Sequence, residues 1–141
     1  MFKIAHRGNT KGRDWLENNP KYLVSAIKKG FDVEVDIRYI DKKWYLGHDK
    51  PEYQVNTSFI DAISKNAWFH CKNLEALYEL NQSNYAFFWH QEDNFTLTSN
   101  GYIWTYPGQN TTPRSIIVDL NMMGEYQGVA GICTDYPEMI Q

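Results

Sequence analysis

The chain has 141 residues, a formal net charge of −3, 43% hydrophobic and 22% charged residues, and five Trp, ten Tyr and seven Phe. That length suits one domain, residues 1–141, burying roughly two-thirds of its unfolded surface, and the aromatic content excludes a disordered chain. Scattered Lys and Arg make no cationic run for nucleic acid, and the longest uncharged stretch, residues 94–113, is too polar to span a membrane.

The N-terminus breaks off its apolar start at His6-Arg7-Gly8 instead of continuing for the about 7–15 apolar residues of a secretory leader. A cytoplasmic location is therefore expected. Short apolar runs then recur, predicting strands at residues 2–7, 31–37, 44–48, 68–72, 86–91, 102–106, 115–120 and 131–135. Asn19-Pro20 opens a helix that Gly30 closes, with Tyr22, Leu23, Ala26 and Ile27 on one face. Ser58, with Asp61 three residues on, starts a second helix through Ile60 and Ile63. Asn73 caps a third, with Leu74, Leu77, Tyr78 and Leu80 toward the interior. No repeat, low-complexity segment or linker divides the chain. Cys71 and Cys133 sit in apolar runs and read as buried free thiols. Neither has a second Cys at zinc-ligand spacing.

Eight strands alternating with helices predict a closed α/β fold, a small (β/α)8 TIM-like barrel. Two features strain that expectation. Such barrels usually take at least about 200 residues, and only residues 38–43 join the second and third strands where a helical crossover needs about ten or more. Six extended residues reach about 20 Å, enough to return along a short strand. The expected barrel is thus one with several outer helices shortened or missing.

Charge interrupts the strands in a pattern. In residues 31–37, Val33, Val35 and Ile37 alternate with Asp32, Glu34 and Asp36, so the acids share one face. Inside a barrel, acids about 7 Å apart repel unless a cation lies between them, and oxygen donors suit Mg²⁺ or Ca²⁺. On an exposed antiparallel strand the same acids would merely face water. Other strands end in His6-Arg7, His48-Asp49 and His70-Cys71-Lys72, and barrel enzymes keep their chemistry at that end. Two histidines can move protons near neutral pH, and Arg7 and Lys72 can hold an anion. Together these groups suit attack on a phosphodiester. At the fifth and sixth strand ends, Trp104 and His90 are candidate pocket residues, and Trp89 reads as either a pocket wall or an outer-face core residue. Asp119 reads as a pocket group or a cap.

The set His6-Arg7-Gly8, Glu17-Asn18, Glu34-Val35-Asp36, Gly47-His48-Asp49 and Gly131-Ile132-Cys133-Thr134-Asp135-Tyr136-Pro137 resembles glycerophosphodiester phosphodiesterases, within the phosphatidylinositol-phospholipase-C-like phosphodiesterase barrels. The resemblance implies a lipid-metabolic hydrolase, a phosphoric diester hydrolase that converts a small-molecule glycerophosphodiester to a phosphomonoester and an alcohol. It assigns His6 and His48 as the acid–base pair, Glu34 and Asp36 as metal ligands, and Arg7 and Lys72 as phosphate contacts. Glu17 takes a supporting or ligand role. The family has an acid two residues before its lysine; here that residue is His70. Histidine suits Mn²⁺ or Zn²⁺ better than Mg²⁺ or Ca²⁺. Three consequences stay open: another metal, weaker binding of the same one, or a third ligand from elsewhere such as Glu17. Rival readings are a non-catalytic barrel binding a phosphorylated or sugar ligand, and a sphingomyelinase-D-like phospholipase. The sequence carries no signal of oligomeric state.

Overall fold

The computed structural model describes residues 1–141. In chain order it runs β1 (Phe2–His6), α1 (Pro20–Lys28), β2 (Asp32–Ile40), β3 (Lys43–Leu46), β4 (Tyr53–Val55), α2 (Thr57–Ile63), β5 (Ala67–Cys71), α3 (Leu74–Leu80), β6 (Ala86–Phe88), β7 (Phe95–Leu97), β8 (Ile103–Thr105), β9 (Ser115–Val118) and β10 (Gly131–Thr134). Single 3-10 turns lie at Ser64–Asn66 and Pro137–Met139.

The expected (β/α)8 TIM-like barrel does not form. The strands make one mixed ten-stranded sheet, curled into a half-barrel and accompanied by only three short helices. Strands β6-β5-β2-β1-β10-β9-β8 run parallel in that spatial order. Two departures keep the sheet from being a repeating βα barrel. First, β3 pairs antiparallel with the outer half of β2, Ile37 to Ile40. The short connection that strained the barrel is a hairpin, whose tip residues Asp41 and Lys42 have φ of 51° and 63°. Two successive left-handed residues define the turn that matches strand twist. Second, β7 folds antiparallel onto β8, and no ladder joins β6 to β8 across the gap. Single contacts cross there instead, such as the Ser99 amide to the Phe87 carbonyl at 2.9 Å. Both unanticipated strands, β4 and β7, are only three residues long.

Helix ends follow their capping residues. Asn19 accepts from the Lys21 and Tyr22 amides, and Gly30, at φ +92°, follows the last turn of α1. That left-handed position costs glycine least. α2 starts one turn-fraction earlier than Ser58, because Asn56 takes the cap by accepting from the Phe59 amide at 2.8 Å. α3 is capped by Asn73 as read from sequence, but Leu74 and Tyr78 are exposed while Ala76 and Leu80 are buried. The helix is thus rotated relative to its predicted apolar face.

The period of two along the strands separates two cores. On the convex face Ala5, Val33, Val35, Ile37 and Phe69 pack against Leu23, Ala26, Ile60, Ile63, Ala76 and Leu80 of the helices. Inside the curl, Ile4, Trp68, Phe88, Trp104, Val118 and Cys133 pack together, with Trp104 stacked on Phe88 at 4.5 Å. Full burial of a side chain such as Phe69 contributes about 2–3 kcal/mol. The same concave surface carries Glu34, Asp36 and His70, positioned by the register that pairs Glu34 with Trp68 and Asp36 with His70. No helix is long and apolar enough to cross a membrane.

Candidate metal and catalytic centre

The C-terminal ends of β1, β2, β5 and β6, with the segment after β3, meet at a cleft of about 710 Å³. His6, Arg7, Glu34, His48, His70, Lys72 and His90 all line it, and Trp104 forms part of its wall while remaining buried. Asp36 lies fully buried directly beneath.

His6 leaves β1 with Nδ1 2.8 Å from Asp135 Oδ1, which also accepts from Asn9 Nδ2 at 2.8 Å. Burial draws the Asp135 carboxyl upward, but hydrogen bonds from His6 and Asn9 outweigh it and hold the group below the usual range. An ionised Asp135 makes His6 Nδ1 the donor, so Nε2 is turned toward Glu34 Oε2, 3.9 Å away. Burial lowers the His6 pKa, yet Asp135 and Glu34 raise it more, leaving it above 6.5.

Arg7 follows with φ 53°, a conformation unusual for a residue other than glycine. Its amide reaches both the Glu34 carbonyl at 3.0 Å and Glu34 Oε2 at 3.3 Å. Its guanidinium contacts Glu17 Oε2 and Asp36 Oδ2, each at 3.0 Å. Asn18 grips the same Asp36 from the other side: its Nδ2 donates to Oδ2 at 2.9 Å and its Oδ1 accepts from the Asp36 amide at 3.0 Å. Burial raises the Asp36 pKa, but His48, Arg7, His70 and Asn18 together hold it well below the usual carboxylate range.

Glu34, Asp36 and His70 form the one group of donor atoms gathered for a cation, all lying within 4.8 Å of one another. His70 Nδ1 is 3.4 Å from Glu34 Oε1 and 3.4 Å from Asp36 Oδ1. Asp36 Oδ1 is fully buried and has no hydrogen-bond partner. An orphaned buried carboxylate oxygen costs several kcal/mol unless something positive meets it, about 1–3 for a neutral group and more for a charged one. The residues therefore fit a divalent cation.

His48 is delivered by the hairpin. The Gly47 amide donates to the Asp36 carbonyl at 3.1 Å and Arg38 Nη2 donates to the His48 carbonyl, placing His48 Nδ1 3.5 Å from Asp36 Oδ1. Gly47 is at φ +148°, and a Cβ there would lie 2.0 Å from the Lys50 carbonyl, so no other residue fits the approach.

Among the ligand candidates singled out from sequence, Glu17 is directed away from the cation cluster. Its oxygens are taken by Arg7 Nη1, Asn9 Nδ2 at 3.1 Å and Arg13 Nε at 3.3 Å, outside the cation cluster. Arg7 is engaged by carboxylates, whereas Lys72 has no carboxylate partner. His90 is buried and stacked on Tyr106 at 4.0 Å, with Nδ1 unpartnered. Burial and His70 lower its pKa. Trp89 is 38% exposed, so it is not a core residue. Asp119 caps a loop, accepting from the Met123 and Gly124 amides and the Tyr126 hydroxyl. Cys71 and Cys133 are free and buried; burial pushes the Cys71 thiol up to about 12.

Asn9, Asn18 and Asp135 are site residues that carry no assigned role in the sequence reading. Asp135 and Asn18 lay inside quoted motifs, and the acid closing the last strand was the available signal. Comparison with protein-family models, curated proteins and solved structures finds no match to this chain.

Proposed function

We propose that the chain is a divalent-metal-dependent phosphodiesterase that hydrolyses a small glycerophosphodiester to a phosphomonoester and an alcohol. The observation that carries this reading is the meeting of two acids and an imidazole within 4.8 Å of one another, beside a histidine oriented by Asp135. Glu34, Asp36 and His70 would hold the ion, which supplies charge neutralisation for the phosphoryl oxygens as negative charge builds.

The protein's own groups do the rest. His6, with Nδ1–H held by Asp135, presents Nε2 as the base that takes the proton of the attacking hydroxyl, from water or from a neighbouring substrate alcohol. A new oxygen–phosphorus bond forms as the bond to the leaving alkoxide breaks. His48, half-exposed at the other side of Asp36, donates the proton that turns that alkoxide into alcohol. Lys72, free of a carboxylate partner, contacts the phosphate, and Arg7 acts mainly as the clamp that fixes Glu17, Glu34 and Asp36. The engagement of Arg7 is also what favours the second reading, a binding site without turnover, because it leaves the anion a single free cation.

The test is turnover of glycerophosphodiesters, lysophospholipids and bis(p-nitrophenyl) phosphate by purified protein, with and without EDTA and with Mg²⁺, Ca²⁺, Mn²⁺ or Zn²⁺ restored. Activity should be abolished by EDTA, by His6→Ala and by Glu34→Ala. Turnover indifferent to all three overturns the mechanism; tight glycerol phosphate binding without turnover selects the second reading.

A further inference from the structure

We propose that the ion taken by Glu34, Asp36 and His70 is a first-row transition ion, with Zn²⁺ bound more tightly than Mn²⁺ and both more tightly than Mg²⁺ or Ca²⁺. This rests on the metal-dependent reading above and narrows it.

The argument begins at the far side of the His70 ring. Nε2 lies 3.2 Å from the main-chain carbonyl of His90. A carbonyl only accepts, so Nε2 is the ring's donor to the backbone and Nδ1 is the nitrogen left to meet a ligand. Nδ1 is the atom that faces Glu34 Oε1 and Asp36 Oδ1, at 3.4 Å from each. Neither approach is a hydrogen bond: Asp36 Oδ1 remains unpartnered although fully buried. Three donor atoms thus converge on one point, and none of the contacts among them is a hydrogen bond. Stacking of the His70 ring on Phe88, 4.8 Å between centroids and 21° between planes, holds that orientation. A ligating histidine whose other nitrogen donates to a backbone carbonyl is the usual outer-shell arrangement of a metal site.

Donor chemistry then selects the ion. Mg²⁺ and Ca²⁺ take oxygen ligands, and Mg²⁺ gives up its water reluctantly. Imidazole nitrogen favours the borderline ions, with Zn²⁺ above Mn²⁺ in the general affinity order. Glu17 cannot restore an all-oxygen set, because Arg7, Asn9 and Arg13 hold both of its oxygens.

The experiment is calorimetric titration of EDTA-treated full-length protein with ZnCl₂, MnCl₂, MgCl₂ and CaCl₂, for the wild type, His70→Glu and Asp36→Asn. The expected order is Zn²⁺, then Mn²⁺, then Mg²⁺ and Ca²⁺ at least about tenfold weaker. His70→Glu should weaken Zn²⁺ by about 10–100-fold and narrow or reverse its lead over Mg²⁺, while Asp36→Asn should weaken every ion. Mg²⁺ or Ca²⁺ binding as tightly as Mn²⁺ overturns the proposal but leaves metal dependence standing. Failure of the wild type to bind any of the four removes the metal reading itself. Undiminished Zn²⁺ binding by Asp36→Asn locates the ion elsewhere and also ends the proposal. ¹⁵N NMR of the wild type needs no variant to fold: His70 should be protonated at Nε2, with the Nδ1 resonance moving on Zn²⁺ addition. A ring protonated on both nitrogens at pH 7.5 and unmoved by Zn²⁺ counts against it.

Discussion

The two faces of the sheet are made from neighbouring residues of the same strands, yet they serve opposite ends. On β2, Val33, Val35 and Ile37 turn outward under the helices, while Glu34 and Asp36 turn inward and end at the cleft. Under the helices the convex face is apolar, from Ala5 through Val33, Val35, Ile37 and Phe69, and gains from water exclusion. The concave face is apolar only in its depth, around Trp68, Phe88 and Trp104, and gives way to charge at its C-terminal end. The difference teaches that one strand can stabilise with its odd residues and do chemistry with its even ones, so damage to one face should leave the other readable.

The largest separation should come from His6→Ala, which is expected to cut turnover by about 10²–10⁴-fold while loss of its bond to Asp135 costs about 1–3 kcal/mol of stability. Phe69→Ala is the converse: a loss of about 3–5 kcal/mol in denaturant unfolding, with the remaining folded protein retaining its site. Acid should act on the concave face in particular. Asp36 and Asp135 have folded pKa values below their ordinary ones, so the stability they contribute is complete above the unfolded value near 4 and is lost as pH falls through the folded values. Thermal melts between about pH 5 and 2 should show this decline, and Asp135→Asn should flatten it. His6 shifts the other way. Its contribution to the stability of the metal-free protein is full below the unfolded value of about 6.5 and is lost as pH rises through its raised folded value, which thermal melts of EDTA-treated protein between about pH 6 and 8 should show and His6→Ala should remove. Asn73→Ala, which removes a cap and two bonds to the Tyr39 backbone, should cost about 1 kcal/mol or somewhat more. Leu74→Ser, on the exposed side of α3, should stay within about 0.5 kcal/mol.

Local pattern made much of this legible. All eight strands expected from apolar runs exist, and alternation along residues 31–37 placed the valines and the acids on opposite faces. Closure was not legible, because it depends on how β6, β7 and β8 pair at long range. The hairpin was hidden as well. Asp41-Lys42 lacks the Asn-Gly or Asp-Gly signature of its turn, and its pairing turns β3 against the direction the barrel required. In the site, residues at strand ends could be found by position alone. Asn9 could not, since its role depends on a hydrogen bond to a residue more than a hundred positions away. Glu17 shows the same limit from the other side: a carboxylate near a ligand set reads alike whether it meets an ion or an arginine.

The sheet ends in three ladders of minimal length, β4, β6 and β7, each of three residues. An unclosed curl would ordinarily offer long rows of unsatisfied amides and carbonyls as a template for a neighbouring chain. Here each border offers so few that a visiting strand would gain almost nothing by docking, and the molecule guards itself against self-templated growth by brevity where a full barrel would do so by closure.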